Sequence, residues 1–117
     1  PAGLAVLRHD PTPRVVSALL ENPRLTEGTL LPLLASEQAS PQALAVVARS
    51  PRWSSRYPLR QALCRNPRTP LAAVLVHLPH LLRRDLEAIA ADTRLLLPVR
   101  RRAQLLAGEG ERRPRRP

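Results

Sequence analysis

The chain has 117 residues, enough for one domain, and its 19 arginines against 9 acidic residues give a formal net charge of +10. It has no lysine, phenylalanine or methionine, and one tryptophan and one tyrosine. Such a composition favours thin layers of packed helices over one large globular core. The exclusive use of arginine is typical of GC-rich coding, which weakens the inference from positive charge to an anionic partner.

The single cysteine, Cys64, excludes an intramolecular disulfide and any metal or iron–sulfur site built from cysteines. It lies in an apolar run and is predicted to be a small buried residue. No apolar run approaches the roughly 18 residues of a membrane helix, and the first residues lack the pattern of a signal peptide. We therefore expect no membrane partner and a reduced, cytoplasmic setting.

Prolines recur in two registers that share one period. The first register has gaps of 28, 29 and 28 residues. Its members are Pro13, Pro41, Pro70 and Pro98. The second register has gaps of 28 and 28. Its members are Pro23, Pro51 and Pro79. Two registers with one period predict an internal repeat and a stacked-repeat architecture.

The first proline register is predicted to mark helix starts and the second to mark helix ends. Ser40 and Thr69 each precede a proline of the first register, and a hydroxyl at that position can cap a helix. Proline fits the first helical position because no amide donor is needed there. In the second register, proline disfavours helical geometry in the residue before it.

Taken in chain order, residues 4–8 are expected to end a helix that began before the chain does. The first full repeat, 12–39, is predicted to hold a helix from about Pro13 to Glu21. A short second helix follows around Thr29 to Ala35, where Pro32 is tolerable only in the first turn. This second helix is expected to be partly 3₁₀.

The second repeat, 40–68, is predicted to begin with a helix that Ser40 caps and Pro41 starts. Its apolar stripe is Leu44, Val47 and Ala48. A loop containing Trp53, Ser54 and Ser55 follows. The repeat ends with a second helix from about Tyr57, whose stripe at i, i+3, i+4 spacing is Leu59, Ala62 and Leu63.

The third repeat, 69–96, is predicted to have one helix that ends before Pro79 and a second that Asp85 caps. The first helix carries the stripe Leu71, Val74, Leu75 and Leu78, and the second carries Leu86, Ile89 and Ala90. A final helix, 98–107, is expected to end at Gly108, a natural C-cap. We expect residues 1–107 to form the repeat domain and residues 108–117 a disordered basic tail.

Together the elements predict an all-α fold, a short α-solenoid of about three and a half repeats of 28 residues with two helices each. The paired helices and turns such as Asn66-Pro67-Arg68-Thr69-Pro70 resemble the leucine-rich repeat variant family and, more loosely, HEAT-type solenoids, over residues 5–107. The resemblance implies a right-handed stack of paired helices. The period here is longer than that family's usual repeat of about 24 residues. The cysteine cluster of some members is missing, so no cofactor is carried over.

Candidate chemical sites are few. His77 and His80 have an H-x-x-H spacing, but Pro79 lies between them and no third ligand is near, so solvated turn histidines are the better interpretation. Asp85 and Glu87 do not face each other on a helix. No catalytic or phosphate-binding motif is present. We therefore expect no enzyme, no metal and no cofactor.

The arginines are more informative by position. Arg24 and Arg52 follow turn prolines one period apart, and His80 occupies the third equivalent place. Equivalent positions of a solenoid stack into a column, which could follow a chain of phosphates. The alternative is that these are solvated turns in a chain whose usual polar residue is arginine. The candidate anion- or partner-binding residues are Arg24, Arg52, Arg68, His80, Arg94, Arg100, Arg101 and Arg102.

Trp53 and Tyr57 are the two aromatic residues, four positions apart beside Arg52 and Arg56. Tryptophan, tyrosine and arginine are enriched in binding hot spots, so this cluster is a candidate for an interaction site. A chain so poor in large side chains also needs a filler between helix layers, and packing is the favoured interpretation.

Two functional hypotheses follow. The first is a non-enzymatic helical-repeat module that acts as a protein–protein interaction scaffold, with another protein or the rest of a longer chain as its partner. The alternative is binding of nucleic acid or another polyanion through the arginine-rich edges. Because a fold does not imply a function, the repeat pattern alone does not decide between them.

Overall fold

The computed structural model describes residues 13–112, with side chains for residues 14–109. Within this range every regular element is helical and no β-strand occurs, which confirms the predicted all-α fold class. The α-helices are α1 (Pro13–Leu20), α2 (Glu27–Ala35), α3 (Pro41–Arg49), α4 (Pro51–Ser54), α5 (Tyr57–Arg65), α6 (Leu71–His77), α7 (Arg83–Ala91) and α8 (Leu97–Arg112). A 3₁₀ turn, Leu78–His80, follows α6. None of these helices is long and apolar enough to cross a membrane. The predicted helix end at residues 4–8 lies outside the described range.

The helices pack in two series. Helices α1, α3, α6 and α8 contact one another in that order, and α2, α5 and α7 form the second series. Contacts of α5 with α3 and α6, and of α7 with α8, join the two. The shortest dimension of the molecule is 19 Å, about two helix diameters. This packing has the thin layers expected from the composition, while a regular solenoid of 28-residue repeats stays a prediction.

A triplet of buried or half-buried residues at i, i+3, i+4 spacing recurs along each series. In the first series the triplets begin at Val16, Leu44, Val74 and Ala103. In the second series they begin at Leu30, Leu59 and Leu86. The predicted stripes of α3, α5 and α7 are therefore confirmed. The stripe predicted for α6 is wrong in part, because Leu71 and Leu75 are each 36% exposed and His77 is buried in their place.

The apolar core is divided into two clusters. One reaches from Val16 to Leu63, and the other from Cys64 to Ala107. The two meet on α5, where the neighbouring residues Leu63 and Cys64 belong to different clusters. Burial of Cys64 is as predicted, and it raises the pKa of the thiol to about 12.

One type of polar turn follows four of the helices. Its first residue accepts the amide two positions on with its side-chain oxygen, and the amide three positions on with its backbone carbonyl. These first residues are Asn22, Ser36, Asn66 and Asp92. Such short polar side chains favour turns because they can bond the nearby backbone. The turns at Asn66 and Asp92 therefore have the same hydrogen-bond pattern.

Asn66 also links two helices across the stack. It is 3% exposed, and its Nδ2 donates to the carbonyl of Leu34 at 2.7 Å and to that of Ser36 at 2.8 Å. The carbonyl of Leu34 is one of the last four of α2, which have no acceptor role within the helix. Likewise, Trp53 Nε1 donates to the carbonyl of Leu20, the last residue of α1, at 2.8 Å. Side chains that come later in the chain thus complete earlier helix ends.

Helices α2, α4 and α8 differ from the prediction. Helix α2 begins earlier, at Glu27, because Thr26 caps it by accepting the amide of Thr29. Pro32 lies inside α2 and does not end it. The segment predicted as a loop around Trp53 is the short helix α4. Helix α8 continues to Arg112, and Gly108 does not adopt the left-handed conformation of a C-cap. The tail beyond Arg112 lies outside the described residues.

The predicted caps have different outcomes. Ser40 caps α3 through the amide of Ala43, as expected. The cap predicted at Thr69 is wrong, because Pro70 occupies the cap position of α6 and Thr69 Oγ1 is buried with no hydrogen-bond partner in the described structure. The cap predicted at Asp85 is also wrong, because α7 begins at Arg83 and the Asp85 carboxylate instead bonds side chains of α5.

Replacing Asn66 by alanine is expected to lower the free energy of unfolding by about 3 kcal/mol, because two buried carbonyls lose their donor. The matched control is Asn22→Ala, since Asn22 is exposed and makes only the local bond to the amide of Arg24. That variant should lose about 1 kcal/mol or less. Urea unfolding of both variants measures the difference, and equal losses would contradict the linking role of Asn66.

Replacing Thr69 by valine is expected to leave stability unchanged or to raise it by up to about 1 kcal/mol, because an unpaired buried hydroxyl is removed. The control Thr26→Val removes a working cap and should cost about 1 kcal/mol. Thermal unfolding followed by circular dichroism compares the two. A loss at Thr69 as large as that at Thr26 would show that the Thr69 hydroxyl has a stabilising partner.

Candidate functional site

The turns fall into two groups, one after each series of helices, which we call the first edge and the second edge. The first edge comprises residues 21–26, 50–56 and 78–82, which follow α1, α3 and α6. The second edge comprises residues 36–40, 66–70 and 92–96, which follow α2, α5 and α7. On the second edge, Asn66 and Arg68 bond the carbonyls of Ser36 and Ala39 in the preceding turn.

On the second edge the predicted binding residues are occupied by partners. Arg94 donates to the Asp92 carboxylate through Nε and Nη2, and its Nη1 lies 3.0 Å from Glu37 Oε1. The bonds from Arg94 lower the pKa of Asp92 to about 2 and raise the pKa of Arg94 itself. Arg68 Nε donates to the carbonyl of Ala39 at 2.8 Å. Arg94 is therefore neutralised by carboxylates, and Arg68 helps to hold successive turns together.

On the first edge two arginines cover a buried tryptophan. The guanidinium carbons of Arg52 and Arg56 lie 4.7 and 5.0 Å from the ring centroid of Trp53, a distance typical of cation–π contacts. Arg52 Nη1 also reaches the carbonyl of Leu20 at 3.5 Å. Trp53 is only 1% exposed, so it fills the core and offers almost no surface to a partner.

The remaining predicted residues do not form one cluster. Arg24 and His80 lie exposed on the first edge with Arg52. Arg100 on α8 is half-buried, and its Nε donates to the carbonyl of Ala90 at 3.3 Å. Arg101 and Arg102 are exposed on α8, which belongs to neither edge.

Two further basic residues on or beside the first edge were not predicted as binding residues. Arg49, at the end of α3, lines a groove of about 370 Å³ between α1 and α3 together with Arg52. Arg56 is the second arginine on Trp53. A sequence signal was present, because the chain between Glu37 and Asp85 holds eight arginines and no acidic residue.

Tyr57 has a structural role in joining α5 to α7. Its hydroxyl donates to the Asp85 carboxylate and accepts the amide of Leu82 at 2.8 Å. Gln61 donates to the other carboxylate oxygen of Asp85 at 2.8 Å. Burial, followed by the bond to Asp85, raises the pKa of Tyr57. Neither aromatic ring is therefore a free platform for a partner.

His77 is buried, which corrects the expectation that both histidines are solvated. Since Arg60 Nε–H can only donate, the His77 Nδ1 atom, 3.2 Å away, accepts, and its Nε2–H donates to the carbonyl of Ala48 at 2.8 Å. Burial lowers the pKa of His77, the Ala48 bond opposes this, and Arg60 and His80 lower it further. In the part of the chain that the structure describes, no group of three metal-ligating side chains occurs.

The outer face of α6 is entirely aliphatic. Its exposed residues are Leu71, Ala72, Leu75 and Val76, with Val76 66% exposed. We call these four residues the α6 strip. By contrast, α3 exposes Gln42 and Arg49 on its surface.

No protein-family model, curated protein or solved structure matches this chain.

The fold should become less stable as pH falls through the range in which His77 titrates. Its folded pKa lies below the ordinary 6.5, so the unfolded chain binds the proton more readily. Stability is then complete above about pH 6.5 and declines below it, by at most about 1.4 kcal/mol per pH unit from this group. Urea unfolding from about pH 7.5 to about pH 5.5 measures the effect.

The variant His77→Gln tests this assignment, because glutamine can still donate to Ala48 and accept from Arg60. It should flatten the pH dependence over that range, whereas the exposed control His80→Gln should retain most of it. If the two variants keep the same pH dependence as the parent chain, buried His77 is not its source.

Proposed function

We propose that this protein is a non-enzymatic helical-repeat module, a protein-interaction scaffold that binds another protein through the α6 strip. One observation carries the proposal, namely that each exposed residue of α6 is aliphatic. A helix that is apolar on all sides is ordinarily buried on all sides. Exposed apolar surface that is surrounded by polar residues is characteristic of protein interaction sites.

Three recurring features support an α-solenoid of about three and a half two-helix repeats as the scaffold. The triplets recur every 27 to 30 residues, the polar turn recurs four times, and each helix contacts its counterpart in the next unit. Solenoids leave extended faces free because each unit buries surface only against its neighbours. The α6 strip lies on one such face.

The neighbours of α6 suggest what kind of partner would fit. Helix α8 packs beside α6 and presents Arg101 and Arg102 to solvent. An amphipathic helix with an apolar stripe and acidic flanking residues would bury its stripe on α6 and place its carboxylates near these arginines. We therefore propose such a helix of another protein as the occupant.

Replacing Val76 by aspartate should abolish partner binding, because it places a charge in the centre of the apolar contact. A photo-crosslinking amino acid at position 76 in the source cells should capture the partner, which is then purified for titration calorimetry. The affinity should fall at least about tenfold with Val76→Asp.

The matched control is Leu82→Asp, which places the same new charge at another exposed aliphatic residue, outside α6. It should leave the affinity nearly unchanged. A captured protein whose affinity is insensitive to Val76→Asp, or which binds through a segment without an acidic amphipathic helix, would refute the proposed interface.

A further inference from the structure

The two edges differ in how their arginines are balanced. On the second edge Arg94 is paired with Asp92 and Glu37, and Arg65 lies 3.9 Å from Asp92. Within the described residues, no carboxylate lies within ion-pair distance of Arg49, Arg52 or Arg56. The first edge therefore carries concentrated positive charge that the fold does not neutralise.

Two of these guanidinium groups are held in place before any ligand arrives. Arg52 and Arg56 both lie against the indole ring of Trp53. This shared contact keeps their two guanidinium groups close together. Arg52 is also anchored by the carbonyl of Leu20. Ordering a long side chain on binding costs conformational entropy, and here part of that ordering already occurs on folding.

The groove between α1 and α3 provides a concave surface beside these groups. Arg49 and Arg52 line it, together with the Ser50 hydroxyl, which caps no helix. Glu21 also lines the groove and forms no ion pair with either arginine in the described structure. The groove thus offers two arginines and the hydroxyls of Ser17 and Ser50 against one carboxylate, a donor set suited to phosphate oxygens.

From these observations we infer that the groove of Arg49 and Arg52, extended by Arg56 over Trp53, is a phosphate-binding site. The ligand it fits is the backbone of a nucleic acid duplex, bound without reading of base sequence. Single-strand binders stack bases on exposed aromatic rings, whereas Trp53 is buried here and the Tyr57 hydroxyl is engaged by Asp85. Recognition would rest on phosphate contacts alone. This site uses no residue of the α6 strip.

The test is fluorescence anisotropy of the full chain with a labelled duplex DNA, at two salt concentrations. The double variant Arg49→Gln/Arg52→Gln should lose about tenfold in affinity per phosphate contact near 0.1 M salt, and its log–log salt slope should become shallower by about 1.8. The control Arg101→Gln/Arg102→Gln removes the same charge from α8. Because charges are screened beyond about 10 Å at this salt concentration, the control should bind nearly as the parent chain does.

Arg52 also packs on Trp53, so a second variant separates binding from folding. Arg52→Lys keeps the charge but removes the planar fork, and it should weaken duplex binding while its thermal unfolding stays close to that of the parent chain. Arg49→Gln alone, at a residue with no described contact, should also weaken binding. Unchanged affinity in both single variants would overturn the site.

Two further binding measurements identify the source of the phosphates. Competition by inorganic tripolyphosphate at lower concentration than the duplex would retain the site and assign it to a free oligophosphate. A single strand that binds more tightly than the duplex would contradict recognition by phosphates alone.

Removing residues 113–117 takes away three arginines and no acidic residue, lowering the formal charge from +10 to +7. Loss of binding on this deletion alone, equal losses in both double variants, or no binding near 10⁻⁴ M protein would each overturn the proposal.

Discussion

The architecture depends on how the carbonyl groups at the helix ends are satisfied. The last four carbonyls of a helix have no partner within it, and leaving them buried and unpaired is costly. Here the donors are side chains from later in the chain: Trp53 for α1, Asn66 for α2 and His77 for α3. The ends of these three helices are therefore completed by side chains that come later in the chain. Stacking supplies hydrogen bonds as well as apolar contact.

Much of the fold is predictable because its rules are local. Proline at a helix start, a serine cap and an apolar stripe act over four residues or fewer, and the predictions at Ser40, Leu44 and Leu59 that rest on them agree with the structure. The two failed caps have different causes. Thr69 satisfies the sequence rule for a cap, but the next residue, Pro70, takes the cap position. Asp85 bonds side chains of α5 that lie 28 and 24 positions earlier, so no rule that spans a few residues records this competition.

The candidate sites were less predictable because the charge that an arginine offers to a ligand depends on which carboxylates lie next to it in the folded chain. Equivalent turns made Arg24, Arg52, Arg68 and Arg94 look alike in sequence, yet Arg94 is paired with Asp92 and also with Glu37, which lies 57 positions away. The pairing with Glu37 becomes visible only in three dimensions. The stretch free of acidic residues, from Glu37 to Asp85, was the usable signal, and it points to Arg49 and Arg56 as strongly as to Arg52. The exposure of α6 could not be predicted either, since an apolar run of this kind ordinarily indicates burial.

The division of the core at α5 affects how the molecule unfolds locally. Leu63 and Cys64 are adjacent, yet each packs into a different cluster. Helix α5 therefore contributes side chains to both clusters. Local unfolding confined to one cluster would leave the other cluster folded. Amide hydrogen exchange would then show two cooperative blocks in the chain. Local opening of one block to accommodate a ligand would leave the helix packing of the other block unchanged.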